Sequence, residues 1–226
     1  MSGKTDIRSG LRRHVNKIIF PIQGAYLGTG AAHAAALTKL AAMRRLSSSS
    51  RPSLLSMGDL VLAGWPEDEL GEPRSNSKSL KAACGALGLY ALAQQSKDYG
   101  VAGTVATGSS HQACPFGKAC WLIQPDSEKS SGVKNRLALI ESAIDFDGVM
   151  VAMRGLIALM RSARDSEGKP RIITLDYGML ASDLYEIQNG GDYRRAVLDR
   201  WGTEYFYIPK RNNEDLAASP ADKATD

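Results

Sequence analysis

LDYGMLASDLYEIQNGGDYRRAVLDRWGTEYFYIP, residues 175–209, is the stretch of the chain that decides its fold class. Its apolar residues recur at steps of three and four, as in Tyr177, Leu180, Leu184 and Ile187. That spacing places them on one face of an amphipathic helix. The glycine pair at 190–191 is a helix stop signal, and a second helix follows it. We therefore predict a helical hairpin.

The second arm of this hairpin is rich in arginine and aromatic residues. Its arginines are Arg194, Arg195 and Arg200, and its aromatic residues Trp201, Tyr205 and Tyr207 are expected in the core. The hairpin holds no nucleophile signature, metal-ligand cluster or phosphate-binding loop. That combination favours a binding or assembly protein over an enzyme.

The composition of the 226-residue chain favours helices throughout. Hydrophobic residues make up 43% and charged residues 23%, as in ordinary globular proteins. Leu and Ala dominate the apolar set, so we predict an all-α fold. No apolar run reaches the ~18 residues that a membrane span needs. Residues 1–17 do not have the pattern of a secretory signal, and we expect a cytoplasmic protein with no membrane contact.

Helical periodicity recurs in the rest of the chain. The predicted helices span residues 5–28, 31–46, 79–97, 133–144 and 148–164, with a helical turn or two at 116–123. Residues 51–78, which glycines and prolines interrupt, are interpreted as a surface connector with one short helix near 56–63. Gly85 and Gly88 are expected to allow close helix packing.

Caps and breaks are predicted for two of these helices. Asp6 or Thr5 is expected to cap the first helix, because a short polar side chain can accept hydrogen bonds from the free N–H groups there. Pro21 is expected to kink or split that helix, since it lacks an N–H. Asp147 is expected to cap the helix at 148–164, which residues 168–170 should end.

Basic residues are the second feature of the chain, whose net charge is +4. Arg154 and Arg161 are separated by about 700° of helix rotation, so they lie on one face with Arg164 beside them. A composite basic surface is predicted from nine cations: Arg44, Arg45, Lys134, Arg136, Arg154, Arg161, Arg164, Arg194 and Arg195. Such a surface would contact phosphates without reading bases. The alternative for Arg44 and Arg45 is that they only complement the dipole of their helix.

Metal binding is the first of the other chemistries to consider. His111, Cys114 and Cys120 have metal-binding side chains and lie close in sequence. Structural zinc needs a fourth ligand, which would have to be the distant Cys84. Buried thiols and a loop histidine are the simpler interpretation, and we predict no metal and no cofactor.

Two further patterns also have simple interpretations. The glycines of GAYLGTG, residues 24–30, lack a preceding strand, so a turn between helices is favoured over a dinucleotide-binding loop. Asp145 and Asp147 could be paired carboxylates, but they lie between two helices, where caps are expected.

Several segments, in order, resemble the CasB family, the small subunit of the type I-E CRISPR surveillance complex Cascade. They are AALTKLAAMRRL (35–46), LGLYALAQQS (87–96), FGKACWLI (116–123), GVKNRLALIESA (132–143), VMVAMRGLIALMRS (149–162) and LDYGMLASDLYEIQ with RRAVLDRWGTEYF (175–206). The resemblance covers residues 35–206, and its most specific part is the C-terminal hairpin.

The resemblance implies an all-α fold of two helical bundles. We expect an N-terminal bundle at 1–128 that includes the 51–78 connector, a C-terminal bundle at 129–210, and a polar tail at 211–226. It also implies a non-catalytic subunit that contacts a second copy of itself, the guide-carrying backbone subunits, the large subunit and, indirectly, the guide RNA. Its basic face would bind the displaced strand of the target DNA and stabilise the R-loop.

Two other functions stay open at this point. A stand-alone helical DNA-binding regulator would need a recognition helix with exposed polar residues after a tight turn, and no such pattern is found. A small enzyme that uses His111 and the cysteines would contain bound metal.

Overall fold

Helices make up nearly all of the regular structure. The computed structural model describes residues 6–47, 54–74, 77–105 and 112–207. The helices are α1 (Ile7–Leu27), α2 (Gly30–Met43), α3 (Gly58–Val61), α4 (Glu67–Leu70), α5 (Lys78–Gln94), α6 (Phe116–Ile123), α7 (Ser131–Ser142), α8 (Phe146–Ser162), α9 (Tyr177–Asn189) and α10 (Gly191–Phe206), with two 3-10 turns, η1 (Arg44–Ser47) and η2 (Leu54–Ser56). Extended pairing in the described residues is limited to isolated bridges such as Ala102 with Leu175. The predicted all-α class is confirmed.

Helix α5 lies at the centre of the fold. It packs against α1, α2, η1, α8 and α9, and almost all of its side chains are buried. Its small residues let these neighbours approach closely, as predicted for Gly85 and Gly88. A Cβ on Gly85 would lie 3.2 Å from side-chain atoms of Leu184 in α9 and Met150 in α8. The central layer therefore depends on the absence of side chains at these glycines.

The C-terminal hairpin forms as the sequence predicts. Gly190 and Gly191 have φ values of +70° and +49°, a left-handed conformation that favours glycine. Trp201 and Tyr205 are buried, which confirms their predicted place in the core. The same prediction is wrong for Tyr207, which is 69% exposed because it follows the last turn of α10.

A buried carboxylate joins the two arms of the hairpin. Asp183 in α9 forms an ion pair with Arg200 in α10, and the Nε1 of Trp201 donates a hydrogen bond of 2.8 Å to its Oδ2. Burial raises the pKa of Asp183 to about 6, although Arg200 and Trp201 act in the opposite direction. Both oxygen atoms of Asp183 thus have partners on α10, and these contacts hold α10 in register on α9.

A second buried carboxylate ties α9 to distant parts of the chain. Asp176 caps α9 by accepting a hydrogen bond of 2.8 Å from the Met179 N–H. Its Oδ2 accepts a hydrogen bond of 2.6 Å from Arg12 in α1 and one of 3.1 Å from the Val105 N–H. The Asp176 side chain is fully buried, so one residue fixes α1, α9 and the segment that ends at Val105.

The segment at 54–74 is folded against α1. Met57, Val61 and Leu70 are buried, so its predicted position as a surface connector is corrected for these residues. His14 in α1 anchors it, because the His14 Nε2 lies 2.8 Å from the Val61 carbonyl oxygen and its ring packs edge-on against Trp65. A carbonyl can only accept, so the Nε2 carries a proton. The buried Nδ1 has no hydrogen-bond partner in the described residues, and burial lowers the pKa of His14, so the imidazole is neutral.

Three details of the predicted helices change. Helix α1 runs through Pro21 without splitting, since buried residues such as Ile18, Ile19 and Ile22 hold it on both sides of the missing hydrogen bond. Asp6 caps α1 as predicted. Helix α8 is capped by Asp145, whose Oδ1 accepts a 2.8 Å hydrogen bond from the Gly148 N–H, and not by Asp147.

The end of α8 also differs from the prediction. Helix α8 ends at Ser162, before the predicted stop at 168–170, because Ala163 adopts an extended backbone conformation. Helix α9 packs against α1 and α5 as well as against α10. The division into bundles at 1–128 and 129–210 stays a prediction. None of the helices in the described ranges is long and apolar enough to cross a membrane.

Replacing Asp176 tests the tie between α1 and α9. Asp176→Ala removes three hydrogen-bond acceptor contacts and leaves the Arg12 guanidinium without its buried partner. We expect the free energy of unfolding to fall by about 3 kcal/mol, measured by chemical denaturation. Asp176→Asn, which keeps one acceptor oxygen for the helix cap, should lose less. Equal denaturation midpoints for Asp176→Ala and wild type would contradict this account.

The pH dependence of stability tests the neutral state of His14. Burial lowers the pKa of His14, and the nearby Lys17 acts in the same direction. The unfolded chain, with a histidine pKa of about 6.5, then binds the proton more readily than the folded chain. The stabilisation from neutral His14 is complete above that pH and is lost as the pH falls below it. Between pH 7.5 and 5, wild type should lose more stability than His14→Gln; equal losses would be inconsistent with a buried neutral imidazole.

Candidate nucleic-acid interface

The 3-10 turn η1 rests directly on helix α5. A Cβ on Gly88 would lie 2.6 Å from the Ser47 Cβ and 2.9 Å from its Cα, and it would also overlap the Ser47 backbone nitrogen. Only glycine permits this approach. Because η1 is fixed in this way, the positions of Arg44 and Arg45, which belong to the same turn, are set by the packing of α5.

Helix α8 brings a third arginine to this turn. The Arg154 Nη1 donates a hydrogen bond of 2.9 Å to the Ser47 Oγ. Arg154 and Arg44 are both half-buried, and Arg45, which follows Arg44 on the adjoining turn, is exposed. Residues that are more than one hundred positions apart in the sequence therefore form one cationic group, as the composite surface predicts for Arg44, Arg45 and Arg154.

Two cations cap the ends of α5 and α8 reciprocally. The Arg161 Nη2 donates a hydrogen bond of 3.2 Å to the Gln95 carbonyl at the end of α5. The Lys97 Nζ donates one of 2.8 Å to the Arg161 carbonyl at the end of α8. Lys97 also lies 5.6 Å from the ring centre of Tyr99. Lys97 is not among the residues that the sequence predicts, because it caps α8 and not its own helix, and no local signal indicates that contact.

Arg136 extends this group from α7. Its side chain crosses Gly155 in α8, since a Cβ on Gly155 would lie 2.8 Å from the Arg136 Nε. Its Nη1 donates a hydrogen bond of 2.9 Å to the Gly132 carbonyl. With Arg136 the group has six members, and we call it the η1–α8 face. Its members are Arg44, Arg45, Lys97, Arg136, Arg154 and Arg161.

Four of the six cations of the η1–α8 face are held in place by neutral oxygen atoms. In the described residues, the side chains of Lys97, Arg136, Arg154 and Arg161 donate to neutral oxygen atoms and form no ion pair with a carboxylate. Other cations differ, since Arg13 is paired with Glu69 and Arg200 with Asp183. The face therefore presents fixed positive charge in a form that phosphate groups can bind.

The remaining predicted cations lie elsewhere. Lys134 donates a hydrogen bond of 2.9 Å to the Ser127 carbonyl, and Arg195 is exposed on α10. Arg194 donates to the Ile140 carbonyl at 2.8 Å and the Ala143 carbonyl at 2.7 Å, so it caps the C-terminal end of α7. The predicted composite surface is thus divided into the η1–α8 face and a second group between α7 and α10.

Arg164 lies outside helix α8. It follows the end of α8, so its predicted place on the helix beside Arg154 and Arg161 is wrong. Its Nη1 donates a hydrogen bond of 2.9 Å to the Gly168 carbonyl, which closes the turn after α8. Phosphate binding by Arg164, Lys134, Arg194 and Arg195 stays a prediction.

The cysteines have the environment of core residues. Cys84 and Cys120 are buried; burial raises the pKa of Cys84 to about 12 and that of Cys120 well above its ordinary value. Protonated thiols are poor metal ligands. No group of three or more His, Cys, Asp or Glu side chains that could hold a metal occurs in the part of the chain that the structure describes. His111 lies outside that part.

The described residues define an all-α protein with a group of cations, the η1–α8 face, on its surface. The family model of CRISPR-associated protein Cse2 matches residues 39–206, and the chain belongs to this family. Cse2 is the CasB small subunit of the type I-E CRISPR surveillance complex Cascade, and membership implies association with the other Cascade components.

A solved structure has the same fold. The structure of CasB from Thermobifida fusca matches with a TM-score of 0.60 and 23% sequence identity. The match covers 89% of this chain and 98% of that chain. No curated protein matches the sequence significantly. The fold and the family together favour a Cascade subunit over a stand-alone DNA-binding regulator.

Substitution of Gly88 tests whether α5 fixes η1. In Gly88→Ala the new Cβ must displace Ser47, so we expect a loss of stability of about 1–3 kcal/mol. Trypsin should also cleave after Arg44 or Arg45 faster than in wild type, because η1 no longer packs on α5. Gly24→Ala is the matched control, since nothing lies within 4 Å of a Cβ at that helical position. Equal cleavage rates in Gly88→Ala and wild type would show that η1 does not depend on Gly88.

Proposed function

We propose that the protein is a non-catalytic Cascade subunit whose η1–α8 face binds the displaced DNA strand and thereby stabilises the R-loop. The observation that supports this most is the set of side chains at the face that keep their positive charge while neutral oxygen atoms hold them in place. A guanidinium has five N–H donors, so Arg154 and Arg161 can each keep an internal hydrogen bond and still contact a phosphate.

The energetics of R-loops make such a face useful. The guide–target heteroduplex is about as stable as the DNA duplex that it replaces, so small contributions from protein–backbone contacts decide the balance. Binding the displaced strand favours the open state, because it removes that strand from competition with the guide RNA. Since any sequence can be displaced, contacts to phosphates are better suited to this task than contacts to bases.

The arrangement along α8 suits an extended strand. Arg154 and Arg161 are seven residues apart, which places their Cα atoms about 10 Å from each other on one side of the helix. Arg44 and Arg45 widen the positive surface beside Arg154. The strand can therefore contact successive cations along α8. The backbone subunits, the large subunit and a second copy would flank this surface, and the guide RNA would be reached only indirectly.

A double substitution on the face tests the proposal. Arg44→Ala with Arg154→Ala should weaken binding of single-stranded DNA about tenfold at 0.1 M salt. The slope of log K against log salt should become shallower by about 1.4, because two phosphate contacts are lost. In the reconstituted complex the same variant should shorten the lifetime of the R-loop.

Arg74→Ala with Lys169→Ala is the matched control, since it removes the same charge from exposed positions outside the face. Co-purification with the other subunits must be checked for both variants, so that failed assembly is not read as failed DNA binding. An unchanged affinity and an unchanged salt slope in an assembled Arg44/Arg154 variant would contradict the proposal.

A further inference from the structure

The turn that follows helix α5 has a backbone conformation that its sequence does not favour. Gln95 has φ −54° and ψ 124°, and Ser96 has a φ of +59°. The Lys97 N–H donates a hydrogen bond of 3.1 Å to the Gln94 carbonyl, which closes a type II β-turn. The third residue of such a turn is usually glycine, yet Ser96 occupies it here. Because a residue with a side chain resists this conformation, the surrounding contacts must impose it.

A buried glutamine supplies those contacts. Gln94, at the end of α5, is fully buried. Its Nε2 donates hydrogen bonds of 2.7 Å to the Tyr99 carbonyl and 3.5 Å to the Lys97 carbonyl. Its Oε1 accepts a hydrogen bond of 3.2 Å from the Val101 N–H. Since both ends of the amide have partners, the Gln94 side chain fixes residues 97–101 against the end of α5.

The cation that this turn places is Lys97. Its Nζ donates one hydrogen bond, of 2.8 Å, to the Arg161 carbonyl, and it lies 5.6 Å from the centre of the Tyr99 ring. An ammonium group has three N–H donors, so two remain for a ligand. Arg161 in turn donates to the carbonyl of Gln95, which belongs to the same turn. The turn therefore holds two cations of the η1–α8 face next to each other at the end of α8.

We propose that Gln94 and Ser96 are positioning residues for DNA binding, which hold Lys97 where its ammonium group contacts a phosphate of the displaced strand. The inference rests on the proposed function, because it requires that the η1–α8 face binds this strand. A free lysine side chain loses much conformational entropy when it binds, and one that is already held beside Arg161 loses less. Gln94 is buried and acts only through Lys97.

Substitutions at Ser96 test the turn without disturbing the core. The side chain is exposed and makes no hydrogen bond within the described residues. Ser96→Val disfavours the left-handed conformation, because valine is β-branched. We expect its affinity for mixed-sequence single-stranded DNA to fall about threefold at 0.1 M salt, with a slope of log K against log salt that is shallower by about 0.7, as for one lost phosphate contact. Ser96→Gly, the conservative variant, adopts the conformation freely and should bind like wild type.

A double-mutant cycle tests whether these residues act through Lys97. Gln94→Leu removes the amide that holds the turn, and Lys97→Met removes the charge. Each should weaken DNA binding about threefold alone, and neither Gln94→Leu nor Ser96→Val should have a further effect in the Lys97→Met background. Gln23→Leu is the matched control, since it also loses two buried hydrogen bonds to this segment, both to Ala102. It should be less stable than wild type and yet bind DNA equally well.

The outcomes separate this inference from the proposed function. Losses of affinity in Ser96→Val and Lys97→Met that do not add would support it. Wild-type affinity in Ser96→Val, or losses that add, would overturn it and leave DNA binding by the face intact. Wild-type affinity in Lys97→Met would also overturn it, whereas the Arg44/Arg154 variant tests the face as a whole. Circular dichroism checks the folding of each variant, and if Gln94→Leu does not fold, the Ser96 substitutions decide the question.

Discussion

The close approach of five neighbouring elements to helix α5 is the constraint on which the rest of the structure depends. Seven of the seventeen residues of α5 are alanine or glycine, so its neighbours can approach its backbone closely. At Gly85 the space is filled by Leu184 and Met150, and at Gly88 by the backbone of η1. Any side chain added at Gly88 would have to displace Ser47, and with it the arginines that precede it.

The same packing constraint thus links the core to the surface. Arg154 reaches η1 through the Ser47 hydroxyl, and Arg161 reaches the end of α5 through the Gln95 carbonyl. Each contact uses only some of the donors of a guanidinium and none of its charge. Neutral partners thus hold Arg154 and Arg161 in place, and within the described residues neither would have to give up an ion pair to bind a phosphate. A carboxylate partner in the same place would hold the side chain equally well but would cancel its charge.

The periodicity of the sequence is sufficient to predict the long helices, but it does not predict the short helix α4. The hairpin α9–α10, the central helix α5 and the helix that carries Arg154 and Arg161 are all confirmed, because apolar steps of three and four are strong over those stretches. Helix ends are less well predicted. Asp145 and Asp147 are both capping residue types, and only the backbone conformation decides that Asp145 is the cap. The backbone conformation at Ala163 likewise decides that α8 ends at Ser162, and Arg164 therefore lies outside the helix.

The local sequence pattern does not indicate contacts between residues that are far apart in the chain. Nothing in the local pattern of α10 indicates that Arg194 caps α7 while Arg195 faces outward. Lys97 was absent from the predicted surface because its neighbour Arg161 is 64 positions away. The predicted cations were identified by residue type, and the fold then sorted them into two groups. The family resemblance indicates the assembly to which the chain belongs, but it does not indicate this division of the cations.

The central claim is that the displaced strand of the R-loop lies on the η1–α8 face. The most direct measurement uses photoreactive nucleotides placed in that strand, within the complete Cascade complex bound to target DNA, followed by mapping of the cross-linked peptides. The account predicts adducts in this subunit at peptides that contain residues 44–47 and 154–161. Adducts confined to other subunits, or to the α7–α10 side of this one, would contradict it.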